Sequence, residues 1–386
     1  MDCLSSTASN SLLLPFFIGD KKEKAVGIRL VLAASWIVGL AAVLVTPPAQ
    51  AEPYFSVMAG KKCMACHVNP TGGGKRTAFG NAFGQKTLSA RPADTFWDGK
   101  VMEYLAIGGG VRASAISNMV PNQKDEFEFD LEEALLFVEV PLLADRITLY
   151  LDQQFAPSST NREAYALLHF QERTVYLKAG KFFLPHGFRL EDDTELVREI
   201  TGLNMENPDE GVEAGIELGQ TSFRLAITNG TAGGAEIDTG KQFSFQGEYY
   251  RSRWRIGGNV NFNDADNAER TILGGFAGLK TGPVSWLGEI NYIDDDALGS
   301  AGRKQWVSFA EANWWIRKGH NLKFTYGHFD PDDDVDEDER NRYSIVYEYF
   351  PLPFTQLRIG FRSNDGIPQN DAQNAELLFV QLHGYF

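Results

Sequence analysis

An alternation of apolar and polar side chains between Val101 and Phe386 constrains the fold of this chain more than any other feature. Within residues 253–263, for example, Trp, Ile, Val and Phe alternate with Arg and Asn. Segments of about ten residues with this period of two are typical of transmembrane β-barrels, which turn apolar side chains outward and polar ones inward. A soluble β-sandwich alternates in much the same way, so strand number and connections have to distinguish the two folds.

About sixteen such segments can be counted, which lies within the range of bacterial outer-membrane barrels. The predicted strands are 101–113, 127–140, 145–156, 161–170, 173–182, 211–219, 221–229, 241–250, 253–263, 270–280, 283–293, 304–316, 320–329, 341–350, 353–364 and 375–386. Short and long connections alternate, as periplasmic turns and external loops do in such barrels. We therefore predict an all-β fold, a transmembrane antiparallel β-barrel over residues 99–386, with the longest connection, 183–210, folded inward as a constriction.

The last predicted strand favours the outer membrane of a Gram-negative bacterium. Apolar residues occupy every second position from Leu378 to Leu382, and the strand ends in Phe386. A strand of this kind is what the barrel-insertion machinery of that membrane reads, so we expect this machinery and outer-membrane lipid as partners. A mean hydropathy of −0.25 excludes a helical multi-span transporter.

Residues 1–51 have the pattern of a signal peptide. Four basic residues, Lys21, Lys22, Lys24 and Arg29, precede an uncharged apolar run from Leu30 to Val45. Ala49-Gln50-Ala51 follows as a small-x-small cleavage site. The alternative is a transmembrane anchor, but the run is short for a membrane-spanning helix. Export to an oxidising compartment is therefore expected.

A short motif in segment 52–98 points to a cofactor. Cys63-Met64-Ala65-Cys66-His67 is a C-x-x-C-H sequence, which is the attachment motif of c-type haem. Two thiols at this spacing bond the two haem vinyl groups, and the next histidine reaches the iron from the same side. A thioredoxin-like motif would need surrounding βαβ patterning, and a zinc site would need two more ligands close by. We therefore predict one covalent haem c held by Cys63, Cys66 and the proximal ligand His67.

The second axial ligand of the iron stays open at this stage. Strand alternation turns His169 and His383 inward near the periplasmic end, while His186 lies in the predicted constriction and Met58 precedes the haem motif. Each of the four is a candidate for the sixth ligand. Each also has an ordinary interpretation as a lumen or loop residue.

The charge of the chain, −15 in total, is unevenly distributed. Segment 52–98 has six basic and three acidic residues, a net charge of +3, whereas 99–386 has 26 basic and 45 acidic residues, a net charge of −19. The acidic balance argues against a nucleic-acid partner. Because a segment this small cannot enclose a haem alone, we expect it to dock in or under the barrel mouth.

Two resemblances to known families follow from these motifs. The passage Thr174–Gly187, TVYLKAGKFFLPHG, resembles the phosphate-selective porin O/P family over roughly residues 127–386. A haem motif in front of such a barrel resembles the fused outer-membrane monohaem cytochrome c–porins of iron-oxidising and extracellular-electron-transfer bacteria. This second resemblance implies electron transfer between an extracellular donor or acceptor, such as ferrous iron or another redox partner, and a periplasmic c-type cytochrome.

Acidic residues in the loops bear on the identity of that extracellular partner. Asp192 and Asp193 make the constriction acidic, so it should repel phosphate, and Asp332, Asp333 and Asp334 lie in an external loop. Such clusters would concentrate hard cations, including Fe²⁺, and guide them inward. The alternative is a solvated loop that divalent ions bridge to lipopolysaccharide.

Three functions are compatible with the sequence. The first is an electron carrier, or an iron oxidase, rather than a hydrolase or transferase. The second is a passive porin for small solutes whose haem is structural or sensory. The third is a metal-binding or assembly role without redox turnover.

Overall fold

The structure, a computed structural model, describes residues 52–143, 146–236, 239–265, 268–298 and 302–386. The predicted signal peptide lies outside the described residues. The strands are β1 Lys100–Met102, β2 Leu105–Met119, β3 Glu126–Leu142, β4 Ile147–Ala156, β5 Thr160–Phe170, β6 Val175–Phe182, β7 Asp209–Leu218, β8 Thr221–Thr228, β9 Gln242–Tyr250, β10 Trp254–Ala265, β11 Ala268–Thr281, β12 Val284–Asp295, β13 Arg303–Arg317, β14 His320–Asp330, β15 Arg340–Tyr349, β16 Thr355–Asp365 and β17 Glu376–Tyr385.

The long strands form a closed antiparallel barrel. Each strand from β2 to β17 pairs with the next along the chain, and β17 pairs with β2, so sixteen strands close the sheet, while β1 only extends it beside β2. The predicted barrel is therefore confirmed. The first predicted strand, 101–113, was wrong in its bounds, because the backbone breaks before Leu105 and then pairs with β17 as far as Met119.

Side chains alternate between the two barrel surfaces as the sequence predicted. On β10, Trp254 and Ile256 point outward and are 42% and 55% exposed, whereas Arg255 and Asn259 point inward and are 5% and 4% exposed. Large apolar side chains on the outside, with charged ones buried inside, are the arrangement of a barrel that is surrounded by lipid. Among the described residues, no helix has the length and apolarity needed to span a membrane.

The connections separate the two ends of the barrel. Short turns such as 219–220, 251–253, 282–283 and 318–319 lie at one end, here called the turn end. The other end, here called the loop end, carries longer connections such as 229–241, 331–339 and 366–375. This alternation agrees with the predicted order of periplasmic turns and external loops.

The connection between β6 and β7, residues 183–208, folds into the lumen as predicted for a constriction. It contains the short helix α4, Leu196–Thr201. Leu196 and Val197 are buried in one apolar cluster with barrel residues that include Ile272, and Arg198 forms an ion pair with Glu289 on β12. The loop therefore reaches the barrel wall opposite its own strands.

Segment 52–98 also lies inside the barrel and is called the plug from here on. It contains α1 Pro53–Ala59, α2 Cys63–Cys66, α3 Ala78–Ala82 and a π-helical turn, Phe83–Leu88; Tyr54, Phe55 and Val57 on α1 are buried. Polar contacts fix it to three separate strands: Tyr54 donates to Glu348 at 2.7 Å, Lys62 contacts Glu217 at 2.7 Å, and Asn69 donates to Glu163 at 2.9 Å. The predicted docking of this segment in the barrel is confirmed.

The plug occupies the half of the lumen that opens at the turn end. The Ala90 N–H donates to the carbonyl oxygen of Phe350, and the Arg91 N–H donates to that of Pro351, in the turn between β15 and β16. The constriction loop enters from the opposite end. The haem motif therefore lies in the half that corresponds to the periplasmic side.

Candidate haem site

The C-x-x-C-H motif forms a single helical turn followed by an extended residue. Cys63 and Cys66 begin and end α2, so a spacing of three residues places both thiols on the same side of that turn. Both cysteines are free of disulfide bonds and half-buried. His67 follows in extended conformation, is buried, and its backbone N–H donates to the Cys63 carbonyl oxygen at 3.0 Å.

A tight loop after the motif orients the His67 ring. His67 pairs with Arg76 in a short antiparallel bridge, and Gly72, Gly73 and Gly74 turn the chain with positive φ values. His67 Nδ1 lies 3.3 Å from the Gly74 carbonyl oxygen. When Nδ1 carries the proton of this hydrogen bond, Nε2 is left as the metal-binding nitrogen. Burial, followed by the charge of Arg76, lowers the pKa of His67 to about 3, which keeps the imidazole neutral as a metal ligand requires.

Two tyrosines of the barrel wall support this loop. Tyr150 Oη accepts a hydrogen bond from the Lys75 N–H at 2.9 Å, and its ring stacks on Tyr165 with centroids 4.8 Å apart. A Cβ at Gly74 would lie 2.0 Å from Tyr150 Oη. Glycine is therefore required at residue 74 both by its φ of +62° and by the close approach of the tyrosine.

Replacing Gly74 by alanine should loosen the plug. Left-handed backbone costs a non-glycine residue about 1–2 kcal/mol, and at residue 74 the new Cβ also collides with Tyr150. Gly282→Ala is the matched control, because Gly282 has a similar φ of +59° and nothing within 4 Å of its Cβ position. Trypsin added to the solubilised barrel should cut after Lys75 and Arg76 about tenfold faster in Gly74→Ala than in the control. Equal rates would contradict this packing.

Buried polar groups hold the tip of the loop. Asn69 donates to both carboxylate oxygens of Glu163, and Lys178 donates to Asn69 Oδ1 at 3.2 Å. Lys178 also forms an ion pair with Glu213 at 3.0 Å, and both side chains are 0% exposed. A network this deeply buried fixes one position of the loop, because each of its members would be costly to leave unpaired.

Arg189 connects the plug to the constriction loop. Its guanidinium donates to Thr71 Oγ1 at 2.9 Å and to the Gly72 carbonyl oxygen, and it lies 3.3 Å from a carboxylate oxygen of Glu163. The plug from the turn end and the loop from the other end therefore meet inside the barrel. Sequence reasoning missed Arg189, Tyr150 and Glu163 as partners of the plug; the inward register of Tyr150 and Glu163 is their only signal in the sequence.

The donor set of the plug fits covalent haem better than zinc. Burial, together with the nearby Cys63, raises the pKa of the Cys66 thiol to about 11. A structural zinc site takes four clustered ligands. Among the described residues, the one group of three close metal-ligating side chains is Asp332, Asp333 and Asp334, far along the chain from the motif. The two free thiols at this spacing, and a histidine whose Nδ1 faces a carbonyl oxygen, fit the attachment of haem c and the binding of its iron.

The four sixth-ligand candidates lie at different places in the lumen. His383 is fully buried, with Nδ1 3.1 Å from Gln356 Oε1, and His186 Nδ1 lies 3.0 Å from Asn259 Nδ2. His169 faces inward on β5 and is buried, as predicted. Met58 is half-buried in α1, and its carbonyl oxygen accepts a hydrogen bond from Lys280. The assignment of a sixth ligand stays a prediction.

The acids of the constriction loop are matched by arginines of the barrel. Asp192 forms an ion pair with Arg362 on β16 at 2.5 Å, and Glu191 forms one with Arg112 on β2. Asp193 accepts a hydrogen bond from the Met205 N–H at 2.9 Å. The sequence predicted an acidic constriction that repels anions, but these contacts offset much of its charge. A role for Asp192 and Asp193 in guiding cations stays a prediction.

Three acids of the loop between β14 and β15 lie close together. Asp332, Asp333 and Asp334 lie at the loop end, and each offers a carboxylate oxygen within 4.8 Å of the others. Asp333 and Asp334 are exposed. Their role at the start of an ion path stays a prediction.

Comparison with known proteins defines the class of the barrel. No protein-family model and no curated protein match the chain. Among solved structures it is similar to the outer-membrane OmpT of Vibrio cholerae (9% identity, 73% of this chain and 97% of that one, TM-score 0.54). It is also similar to an anion-selective porin from Comamonas acidovorans (10%, 73% and 99%, TM-score 0.53) and to OprB of Pseudomonas putida (7%, 73% and 94%, TM-score 0.56).

These similarities concern the fold, which is that of the outer-membrane porins. The chain is a closed, sixteen-stranded barrel of the porin type. The finer resemblances, to the phosphate-selective porin O/P family and to the fused cytochrome–porins, stay predictions.

Proposed function

We propose that this chain is an outer-membrane electron-transfer protein, a porin-type barrel whose plug carries one covalent c-type haem. Cys63 and Cys66 would hold the haem and His67 would bind its iron. The protein would pass electrons between an extracellular donor or acceptor, such as ferrous iron, and a periplasmic c-type cytochrome. The observation that carries the proposal is the position of an intact C-x-x-C-H turn inside the lumen, with both thiols free and the His67 ring oriented by a carbonyl oxygen.

The outer membrane is the location that the barrel supports. Its exterior is apolar, with side chains such as Trp254 and Ile256 exposed, and its interior is polar. A surface of this kind has to be covered by lipid. The short turns would then face the periplasm and the acidic loops would face the exterior.

The chain's own residues would position and insulate the redox centre. Haem, when bound, supplies a one-electron centre of tunable potential. His67 would serve as a neutral ligand, and the Gly74 carbonyl oxygen would fix its ring. The plug and the constriction loop, joined through Arg189, would limit the access of water to this part of the lumen. The apolar band of a barrel is about 25 Å tall, so the outside partner would need to enter the lumen or meet a centre placed well inside it.

A second candidate is a passive channel whose haem is structural or sensory. The porin fold supports this function more directly than it supports electron transfer, because transport is the usual role of that fold. The contacts of the plug with strands around the lumen oppose it, since a filled lumen obstructs diffusion. Two measurements on one preparation separate the candidates: the spectral response of the haem to external ferrous iron, and single-channel conductance in a planar bilayer.

The electron-transfer proposal predicts a role for the external acids. Changing Asp332, Asp333 and Asp334 together to Asn should slow reduction by ferrous iron in stopped-flow absorbance about two- to tenfold at low salt, because the potential that attracts the cation falls. The dependence of the rate on ionic strength should also flatten. Asp125→Asn, Glu126→Gln and Glu128→Gln together form the control, with the same loss of charge in another exposed part of the loop end. Equal rates in both variants would contradict guidance by this loop.

A further inference from the structure

The two mouths of the barrel carry opposite charge. At the turn end, Arg251, Arg253, Arg317 and Lys318 are exposed. Among the described residues, none of these four takes part in an ion pair. The loop end is acidic, with exposed side chains that include Asp125, Asp296, Asp333, Asp336, Glu337 and Glu339. Although the net charge of the whole chain is negative, one end of the barrel therefore has a basic face.

The basic face continues from the turns across the mouth onto the plug. Lys61 and Lys86 are exposed plug residues, and Lys86 Nζ lies 5.7 Å from the centre of the Phe96 ring, which is itself 44% exposed. The plug lies within the barrel circumference, where lipid headgroups do not reach. Positive charge at this position is therefore presented to the aqueous compartment and not to the surrounding bilayer. Aromatic residues are enriched at protein interfaces, and the rim of an interface is polar.

The basic turns lie next to the haem motif. Gly60, just before Lys61, approaches the turn 251–253 so closely that a Cβ on it would lie 2.6 Å from the Ser252 carbonyl oxygen. Lys61 is two residues before Cys63, whose Sγ lies 3.9 Å from Arg255 Nη2 at the start of β10. A molecule that binds the basic turns would therefore lie close to the C-x-x-C-H turn.

We propose that the turn end is a docking surface for a soluble, acidic electron-carrier protein. This protein is attracted by the positive charge of Arg251, Arg253, Lys318, Lys61 and Lys86. This inference rests on the proposed function and adds the chemistry of the partner to it. Complementary charge speeds encounter and orients weakly bound partners. The acidic loop end repels the same molecule, so the charge difference between the mouths also determines which end it approaches.

Binding of a charged probe tests this surface without requiring haem. The probe is an oxidised acidic plant-type [2Fe–2S] ferredoxin, and the barrel is held in nanodiscs of zwitterionic lipid. Biolayer interferometry should detect binding at low salt. This binding should weaken at 150 mM salt, because the Debye length is then only about 8 Å and the charges are screened from each other. The Kd should rise about tenfold or more when three basic residues are changed together, Arg251→Glu, Arg253→Glu and Lys318→Glu. The matched control, Lys124→Glu, Arg303→Glu and Lys304→Glu at the loop end, should leave the Kd within about twofold.

Several results would overturn the inference: no binding to the unaltered barrel, equal loss in both variants, or binding that salt does not change. A further arm uses nanodiscs with anionic phosphatidylglycerol. Loss of ferredoxin binding there would mean that lipid headgroups occupy the basic residues, and this too would overturn it. The haem content of the same samples, measured separately, reports on the proposed function. A barrel without haem that still binds ferredoxin would refute the electron-transfer proposal and support the docking surface. A haem-loaded barrel that fails to bind ferredoxin would refute the docking surface and support the electron-transfer proposal.

Discussion

Deleting residues 53–98 should turn a poorly conducting barrel into an open channel. These residues occupy the turn-end half of the lumen and contact β5, β7 and β15 through Glu163, Glu217 and Glu348. Porin barrels of sixteen strands enclose an aqueous channel when only a constriction loop narrows them. We expect single-channel conductance in planar bilayers to rise at least about tenfold on deletion.

The barrel itself should survive this deletion, because its strands pair with one another and not with the plug. Unchanged heat-modifiable mobility on a gel would show that the strands still close. Asn69→Ala is a milder companion variant, since it removes the contact with Glu163 and Lys178 while keeping the chain length. Its conductance should lie between those of the intact and deleted proteins. Equal conductance of the intact and deleted barrels would contradict the account of a filled lumen.

Changing Cys63 and Cys66 together to Ala should abolish covalent haem. Each thiol would form one of the two thioether bonds, and the chain after the predicted signal peptide has no further cysteine. Either single variant should retain at most one bond and lose most of the haem on denaturing gels stained for peroxidase activity. Met64→Ala, within the same helical turn, is the matched control and should keep its haem.

The fold of the double variant can be checked independently, because both cysteines are half-buried and lie outside the strands. Its heat-modifiable mobility should match that of the unaltered protein. A double variant that still holds haem after extraction with acid and organic solvent would show that the attachment chemistry is wrong.

The barrel could be predicted from the sequence because its signal is local and repeated. Alternation in a strand such as β10 identifies outward Ile256 and inward Arg255 without knowledge of any neighbour. The bounds of β2 were harder to predict. Its second half contains small and polar residues, including Ser114 and Ser117, and it is a strand because β17 and β3 pair with it on both sides. Pairing across the closed sheet overrides weak local preference here.

The contacts of the plug could not be read from the sequence in the same way. Net charge and length predicted that the segment docks, but its loop has no periodicity that indicates which strand it meets. Its partners come from distant parts of the chain: Lys75 meets Tyr150, Thr71 meets Arg189, and Arg224 donates to the Pro70 carbonyl oxygen. The position of an irregular segment such as this one is determined by the side chains that line the cavity around it.

The pairing of charged side chains inside the lumen also could not be predicted from local sequence patterns. Glu191 and Asp192 form an acidic run in the sequence, yet Arg112 and Arg362, which neutralise them, are far away along the chain. A buried charge needs a partner, but the sequence does not say which arginine supplies it. The opposite charge of the two mouths becomes visible only when the turns and loops are assigned to their ends.

The haem content of the purified protein tests the central claim most directly. The chain should be expressed in a Gram-negative host with a functional cytochrome c maturation system and purified from its outer membrane. Pyridine haemochrome absorbance divided by protein concentration should give about one haem per chain, as one C-x-x-C-H motif implies, and the haem should remain attached after extraction with acid and organic solvent. A barrel that inserts correctly but carries no haem, or carries zinc at Cys63 and Cys66, would contradict the account.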